Sequence, residues 1–536
     1  MPGGAEPFRR VAAIVMSDNK GLKQWLWKQR KAARLAYALH MGTRVLSAAL
    51  SLIWIRLLVG AMGEKLNGVY LAFQNVVTLG GLGDLGMGGV VGVRGGQMLG
   101  REKHEELQQF LASARAIFLM LALTAGLGML LLSPWLPQWL HFKPVDGAGS
   151  LPKLFAVGSV LVAGVMLSSY LSNLNYACGN VTWPVIPTFL VLQLSLLGHW
   201  LLARQGFPLW IQYLPYVAAA ILGLLLTWFY VRVSNPPLAR IWPVKIDWRT
   251  AATLLGASFW VYLCAMGNAI YRTTDGLVIN AGFEPGTLVG YQYNYKFCEI
   301  AVFLVITASF VSMPKITQWM ASSNETDQRR ARVEIQRLNQ FQTLLGCGAA
   351  LAYLAGNNLF MKLWWLHKEH PVLPASLLLQ LAFALNLTVT ASGDAGIQMS
   401  LRIGDKGLRI TGTIIGLTGL INVALSLLAT YYGSLAGIAL ATVLAQSLLS
   451  LGASYFLCRH LRTPWAPWVL KGWLLPLAII STAGWLRTFF AADSLVPFLE
   501  IAGIYVGLFL LLAWSLGINT AFIRDEWAIV RGFLKK

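Results

Sequence analysis

Charged residues are scarce in this sequence. Only 12% of its 536 residues are Asp, Glu, Lys or Arg, whereas a soluble globular domain contains about 25%. Hydrophobic residues make up 56% of the chain, and the mean hydropathy is +0.60. This composition excludes an ordinary water-soluble protein and indicates a chain that lies mainly within a lipid bilayer.

Cysteines and acidic residues are also few. The five cysteines form no CxxC pair, which argues against a disulfide framework and against a zinc site. The 42 basic residues outnumber the 22 acidic ones, for a net charge of +20. The basic residues lie between apolar segments, as in loops held against an anionic leaflet. We therefore expect the lipid bilayer as a partner, with no nucleic acid and no metal site.

Long apolar runs dominate what is present. A helix needs about 20 apolar residues to cross the hydrocarbon layer. We identify fourteen such runs and predict an all-α integral membrane protein. The runs lie at residues 37–60, 69–93, 111–133, 153–175, 183–203, 209–232, 251–281, 288–312, 338–361, 372–397, 409–430, 434–457, 469–490 and 495–517.

Basic residues alternate between the loops. Arg94, Arg101 and Lys103 occupy the second loop, whereas Lys65 is the basic residue of the first. The same contrast recurs along the chain and supports the count of fourteen. Because cytoplasmic loops are enriched in Lys and Arg, we predict a multi-pass protein of the bacterial cytoplasmic (inner) membrane with both termini in the cytoplasm.

The two halves of the chain resemble each other. Residues 63–70 and 284–291 are both short loops that end in Gly and an aromatic residue. We predict two parallel six-helix repeats that form two lobes around a central cavity, plus two C-terminal helices. The predicted segments are a basic cytoplasmic leader (1–36), an N-lobe (37–232), a cytoplasmic linker (233–250), a C-lobe (251–457), helices 13 and 14 (458–517) and a cytoplasmic tail (518–536).

The basic leader has two interpretations. Residues 20–34 combine Trp25, Leu26 and Trp27 with many Lys and Arg residues. They suit an amphipathic helix on the inner leaflet and equally a basic flank that only sets topology.

The stretch 81–86 matches the pattern GxGxxG. It lies inside an apolar run, without the strand, turn and helix that a dinucleotide site requires. We predict close helix packing through small residues instead. No loop between the runs is long enough for a soluble catalytic domain, and we expect no catalytic residues and no enzyme activity.

Ionisable residues within the runs are costly in lipid and usually face a polar cavity or a charged partner. In the first hairpin, a turn near residue 64 or 65 places Arg44 level with Asp84. A structural ion pair and a cavity-facing pair are equally compatible with this arrangement. Arg56 lies nearer the outer end of its helix, which also suits a side chain that reaches the interface.

The second hairpin carries a denser cluster. A turn near residue 284 or 285 places Arg272 level with Lys296 and Glu299, and Asp275 level with Asn294. Lys296 and Glu299 are three residues apart and share a helix face. Four charges at one depth favour a hydrated cavity over a purely structural pairing.

Several stretches resemble a known family. Residues 419–426 and 432–442 are similar to the eleventh and twelfth helices of polysaccharide-transport (oligosaccharide) flippases. Residues 84–86 and 275–279 are similar to parts of the second and seventh helices. This family belongs to the multidrug/oligosaccharidyl-lipid/polysaccharide exporter superfamily, and the resemblance covers roughly residues 37–460. The long leader and the fourteen runs depart from the twelve spans of many members, whereas the related lipid II flippases have two added helices.

The resemblance implies a two-lobed bundle that moves a polyprenyl-diphosphate-linked oligosaccharide from the inner to the outer leaflet by alternating access. A diphosphate needs cationic partners, and acidic residues would hold those cations or couple transport to H⁺ or Na⁺, with no other cofactor. The expected substrate-binding residues are Arg272, Lys296, Arg44 and Arg56, and the expected coupling or charge-balancing residues are Asp84, Asp275 and Glu299. Envelope glycan assembly proteins are further expected partners.

Three other functions remain open at this stage. A cation-coupled multidrug exporter of the same superfamily predicts efflux of small amphiphiles without an effect on surface glycan. A membrane glycan polymerase or glycosyltransferase requires a catalytic loop that the sequence lacks. A scaffold for envelope proteins has no sequence feature in its favour.

Overall fold

The computed structural model describes residues 19–100, 104–177, 185–234, 247–321, 324–364, 372–490 and 495–518. Across these ranges the chain is helical and contains no strand. The main helices are α1 (Asn19–Gly80), α2 (Met87–Gly100), α3 (His104–Leu132), α4 (Leu151–Ala177), α5 (Val185–Arg204), α6 (Leu214–Ser234), α7 (Trp248–Gly282), α8 (Pro285–Ala321), α9 (Glu325–Trp364), α10 (Leu377–Ser400), α11 (Gly404–Tyr431), α12 (Leu435–Leu461), α13 (Leu475–Leu486) and α14 (Leu495–Ser515).

Helix α1 consists of two arms that meet at Gly63. This residue has φ 71° and ψ 169°, a conformation that glycine adopts without the steric cost of a Cβ atom. The arms, residues 19–62 and 64–80, form the first hairpin. The first arm is helical from Asn19 onwards and therefore includes the second half of the predicted leader; residues 1–18 lie outside the described residues. Contact of the leader with the leaflet stays a prediction.

The second predicted run, 69–93, contains a break. Residues Gly81–Asp84 form a 3₁₀ turn, and Leu85 and Gly86 follow with φ of 51° and 71° before α2 begins. Close packing was expected here, and Gly86 provides it. A Cβ atom at this position would lie 2.6 Å from the backbone nitrogen of Tyr262 in α7, so only glycine permits this approach of the backbones.

Ten helices in the described part of the chain are long and apolar enough to cross a membrane, which makes this a multi-pass membrane protein. The count of fourteen spans stays a prediction. Helices α8 and α9 have 37 and 40 residues, a rise of about 55–60 Å against a hydrocarbon layer of about 30 Å. The stretch 313–337 was expected to be a loop but is mostly helical. Both helices continue beyond their apolar segments, where the sequence becomes polar.

Helix packing defines two lobes. In the N-lobe (α1–α6), α1 packs on α5, α2 on α3 and α4, α4 on α3 and α6, and α5 on α6. Every one of these pairs recurs six helices later in the C-lobe (α7–α12). Two parallel six-helix repeats would give this recurrence, and the repeat layout stays a prediction. Helices α13 and α14 pack on the outside of the C-lobe, against α9 and α10.

The lobes meet through α1, which packs on both α7 and α8. We call the end of the bundle with Gly63 and the α7–α8 turn the hairpin end. There the hydroxyl of Tyr293 donates to Asn67 Oδ1 at 2.8 Å, and Lys143 of the N-lobe contacts Glu284 of the C-lobe at 3.2 Å. The Gly86–α7 contact joins the lobes further from this end.

Aromatic rings fill the core of each lobe. In the N-lobe, Phe73 packs edge-on against Phe155 and Tyr213, with ring centroids 5.2 and 4.9 Å apart. In the C-lobe, Tyr291 packs edge-on against the buried Phe383 at 4.9 Å. Edge-to-face packing of this kind stabilises aromatic pairs beyond their buried area, and it fixes Tyr291 beside the polar cluster described next.

Candidate functional site

A carboxylate lies between four helices of the C-lobe. Asp275 of α7 accepts a hydrogen bond from the hydroxyl of Tyr291 in α8 at 2.7 Å. Thr442 Oγ1 of α12 lies 3.2 Å from both carboxylate oxygens and 3.1 Å from Asn422 Oδ1 of α11. Because the threonine has a single hydroxyl proton, it cannot donate to all three oxygens at once. We call Asp275, Tyr291, Asn422 and Thr442 the Asp275 cluster.

Unsatisfied polar atoms adjoin this cluster. Asn422 Nδ2 and the hydroxyl of Ser426, one turn later on α11, are buried and have no hydrogen-bond partner among the described residues. Buried polar groups normally have partners; a cation could bind the hydroxyl oxygen of Ser426, whereas the N–H groups of Asn422 would need an acceptor. The carboxylate, amide and hydroxyl oxygens suit a hard cation. No group of three or more His, Cys, Asp or Glu that could hold a metal occurs in the ranges described.

In the second hairpin, Asp275 and Asn294 have different hydrogen-bond partners. Asp275 was expected level with Asn294, but its partner is Tyr291. Asn294 is buried and instead accepts hydrogen bonds from Asn357 and from the backbone nitrogen of Ala375, both at 2.9 Å. The turn consists of Phe283 and Glu284, close to the expected position near residue 284 or 285, because α7 ends at Gly282 and α8 begins at Pro285, a residue suited to the first position of a helix.

Lys296 and Glu299 share one helix face, as predicted, and they also form an ion pair. Lys296 Nζ lies 2.8 Å from Glu299 Oε2, and the side chains are 27% and 58% exposed. An ion pair this exposed contributes little to stability. Because the lysine is partly exposed, an anionic ligand could reach its ammonium group.

Of the three predicted arginines, only Arg56 has a side chain within the described residues. Arg272 lies on α7 and Arg44 on α1, but their side chains lie outside the described residues. Arg56 is half-buried, with its guanidinium 5.7 Å from the ring centroid of Trp364 at the end of α9. This is cation–π geometry. Binding of cargo by all three stays a prediction.

Asp84 lies in the N-lobe, at the break before α2. It accepts hydrogen bonds from the backbone nitrogen of Gly86 at 2.9 Å and from the hydroxyl of Ser169 in α4 at 2.7 Å. These contacts fix the start of α2 against α4. The predicted relation to Arg44 stays untested, because the arginine side chain is not described.

The structure thus pairs Lys296 with Glu299 on α8, sets Asp275 of α7 against Tyr291 and Thr442, and places Asp84 in the other lobe. Sequence reasoning missed Tyr291 and Thr442 as partners of Asp275. Their signal was a hydroxyl group within an apolar run, and this signal is weak because such groups also bond to the backbone of their own helix.

Comparisons with known proteins bear on the fold. No family model and no curated protein matches the sequence. Among solved structures, the chain is similar to the lipid II flippase MurJ in an inward closed conformation, with 17% identity, a TM-score of 0.63 and coverage of 92% of this chain and 99% of that one. It is also similar to an inward-facing multidrug resistance MATE transporter of the MOP superfamily (15%, TM-score 0.59, 76% and 93% covered) and to a eukaryotic MATE transporter (13%, 0.54, 83% and 98%).

The chain therefore has the fold of MOP-superfamily transporters. These neighbours are transporters rather than enzymes. The similarity extends to both a lipid flippase and multidrug transporters, so it does not single out the polysaccharide-transport flippases.

Proposed function

We propose that this protein is a flippase that moves a polyprenyl-diphosphate-linked oligosaccharide or glycan precursor from the inner to the outer leaflet by alternating access. It would act in the bacterial cytoplasmic membrane with both termini in the cytoplasm, alongside envelope glycan assembly proteins. The observation that best supports this proposal is the coverage of the structural matches. The lipid flippase matches 92% of this chain, whereas the two MATE structures match 76% and 83%.

Helices α13 and α14 add support. They pack against α9 and α10 on the outside of the C-lobe, and large apolar side chains such as Val496, Leu510 and Trp514 remain exposed on α14. A polyprenyl chain needs only an apolar surface next to lipid. We propose that the tail stays in the bilayer against these helices while the sugar diphosphate enters the space between the lobes.

The diphosphate would bind to cations of the second hairpin. Lys296 is the best described of them, because its ammonium group is partly exposed and shares its charge with the more exposed Glu299. Arg272 lies on the adjacent helix α7, and Arg44 and Arg56 extend the set to α1. Charge-assisted hydrogen bonds from such groups are the usual means of binding phosphate oxygens.

Coupling to H⁺ or Na⁺ would use the Asp275 cluster. The carboxylate receives hydrogen bonds only from neutral groups in its described contacts, so its charge is available to a cation. Helices α7, α8, α11 and α12 all contribute to the cluster, and a bound cation would change how they pack. Asp84 and Glu299 are the other acidic residues proposed for coupling or charge balance.

A cation-coupled multidrug exporter is the second candidate, and the MATE neighbours favour it. That function requires the same cation site but a cargo without a diphosphate. The charge of the cargo separates the two functions, because Lys296 would bind an anionic diphosphate and would repel a cationic cargo.

Reconstitution tests the proposal. The purified protein would be placed in liposomes with a fluorescent polyprenyl-diphosphate glycan, and access of an external glycosidase to the glycan would report flipping. We expect flipping by the wild type and its loss in Lys296→Ala, with Lys153→Ala as the control, since Lys153 stacks on Trp210 at 5.4 Å away from the second hairpin. Transport of ethidium without glycan flipping would instead establish the exporter.

A further inference from the structure

Asp275 and Gly276 are consecutive residues of α7 that face different neighbours. Asp275 contacts Tyr291 and Thr442 within the C-lobe. Gly276 faces the second arm of α1, which belongs to the N-lobe, where Asn75 lies against it. One turn of α7 therefore joins the Asp275 cluster to the contact between the lobes.

The contact at Gly276 depends on the absence of a side chain. A Cβ atom there would overlap Asn75 Nδ2, and it would lie 3.2 Å from Asn75 Cγ and 3.1 Å from Gln292 Nε2. These distances are shorter than the separation at which packed atoms normally lie. Glycine thus admits the amide of Asn75 to the surface of α7, directly beside the residue that carries the negative charge.

The amide of Asn75 is poorly satisfied in this position. Its Nδ2 atom is buried, and among the described residues it has no hydrogen-bond partner. A buried N–H group without an acceptor is unfavourable, so the contact gains nothing from a local hydrogen bond. The two N–H dipoles remain sensitive to the charge nearby, and the nearest acidic residue along α7 is Asp275.

We propose that Asn75 is the positioning residue through which cation binding at Asp275 controls the contact between the lobes. This inference rests on the proposed coupling function. Without a cation, the Asp275 carboxylate attracts the N–H groups of Asn75 and holds α1 against α7. A bound cation cancels that negative charge, weakens the attraction and favours separation of the lobes. A ligand shifts an equilibrium only through such a difference between two states.

The experiment measures lobe separation in the purified full-length protein in nanodiscs. Spin labels would replace Lys143 and Glu284, which lie on opposite lobes at the hairpin end. Distance distributions would be recorded in sodium chloride and in choline chloride at fixed pH, and across pH at fixed sodium. In the wild-type background we expect the cation to raise the open population by about fivefold or more.

Three variants distinguish Asn75 from its surroundings. Asn75→Ala should remove the cation effect on distance while cation binding, measured by cation-dependent melting, persists. Asn75→Asp should reverse the effect, because a carboxylate is repelled by Asp275 until a cation lies between them. Thr78→Ala, on the exposed face one turn later, should behave as the wild type, since its hydroxyl bonds to the carbonyl of Gln74.

A matched pair of variants tests the packing itself. Gly276→Ala should separate the lobes without any cation, and adding Asn75→Ala should return the distance to that of Asn75→Ala alone, because the overlap with Nδ2 is gone. A cation effect that survives Asn75→Ala, or an unchanged distance in Gly276→Ala, overturns the role of Asn75 and leaves the flippase proposal intact. Absence of both cation binding and a cation effect in the wild type overturns the coupling function and this inference together.

Discussion

Replacement of Gly68 by alanine should open the hairpin end of the protein. Gly68 lies on the second arm of α1, against the first residue of α8. A Cβ atom there would overlap the carbonyl oxygen of Pro285, and it would lie 2.5 Å from the carbonyl carbon and 3.1 Å from Cα. These are backbone atoms at a helix start, so no side-chain rotation relieves the overlap.

The size of the effect follows from these distances. Carbon atoms pack at about 3.5–4.0 Å, so α8 must move away from α1 by about 1 Å. Overpacking of this kind typically costs about 1–3 kcal/mol. The helix preference of alanine over glycine is present in both the closed and the open state and cancels. The closed-to-open equilibrium should therefore shift by about 5–150-fold.

The assay is the distance between spin labels at positions 143 and 284, with glycan flipping measured on the same samples. The matched control is Gly290→Ala in α8, because nothing lies within 4 Å of a Cβ atom there. We expect a longer mean distance in Gly68→Ala and an unchanged distance in the control. An unchanged distance in Gly68→Ala, or an equal change in Gly290→Ala, would refute the conclusion that the contact between Gly68 and Pro285 keeps the hairpin end closed.

Three further outcomes are expected. Glu299→Gln should free Lys296 and raise the affinity for a polyprenyl diphosphate in a binding assay, and unchanged affinity would count against Lys296 as a ligand. Arg487→Met should lower the melting temperature, because the buried guanidinium donates to the carbonyl of Leu354 at 3.2 Å and such a charge-assisted bond contributes about 1.5–3 kcal/mol; a wild-type melting curve would contradict this. A cysteine at Ser323, which lies outside the described residues, should resist an impermeant reagent in intact cells, and labelling there would reverse the predicted topology.

Much of the fold could be predicted from hydropathy, because a helix that crosses hydrocarbon must be apolar over a fixed length. Prediction was weaker where helices leave the membrane, as in α8 and α9, since a polar helical extension carries no hydropathy signal. It also missed the break at Gly81–Gly86, because the surrounding run is apolar on both sides; the turn is held by the hydrogen bond from Gly86 to Asp84 and by the close approach of Gly86 to Tyr262.

The candidate site was predictable in part. The spacing of Lys296 and Glu299 was sufficient, because residues three apart on a helix meet whatever surrounds them. The partners of Asp275 were not predictable, since Thr442 lies 167 residues away and its position depends on how α7 packs against α12. Contacts between helices distant in sequence are set by tertiary packing, for which one sequence gives no local pattern.

The two lobes hold their buried acids differently, and this difference bears on how transport would be coupled. Asp84 accepts hydrogen bonds from Gly86 across the break and from Ser169 of α4, so its contacts stabilise the turn and join it to one other helix. Asp275 is bonded to hydroxyls from α8 and α12, so its contacts hold separate helices together. A cation at Asp275 would compete with hydroxyls from two other helices, whereas one at Asp84 would compete with a hydroxyl from one helix and with a local turn contact. On physical grounds the C-lobe carboxylate is therefore the better element for coupling ion binding to lobe movement.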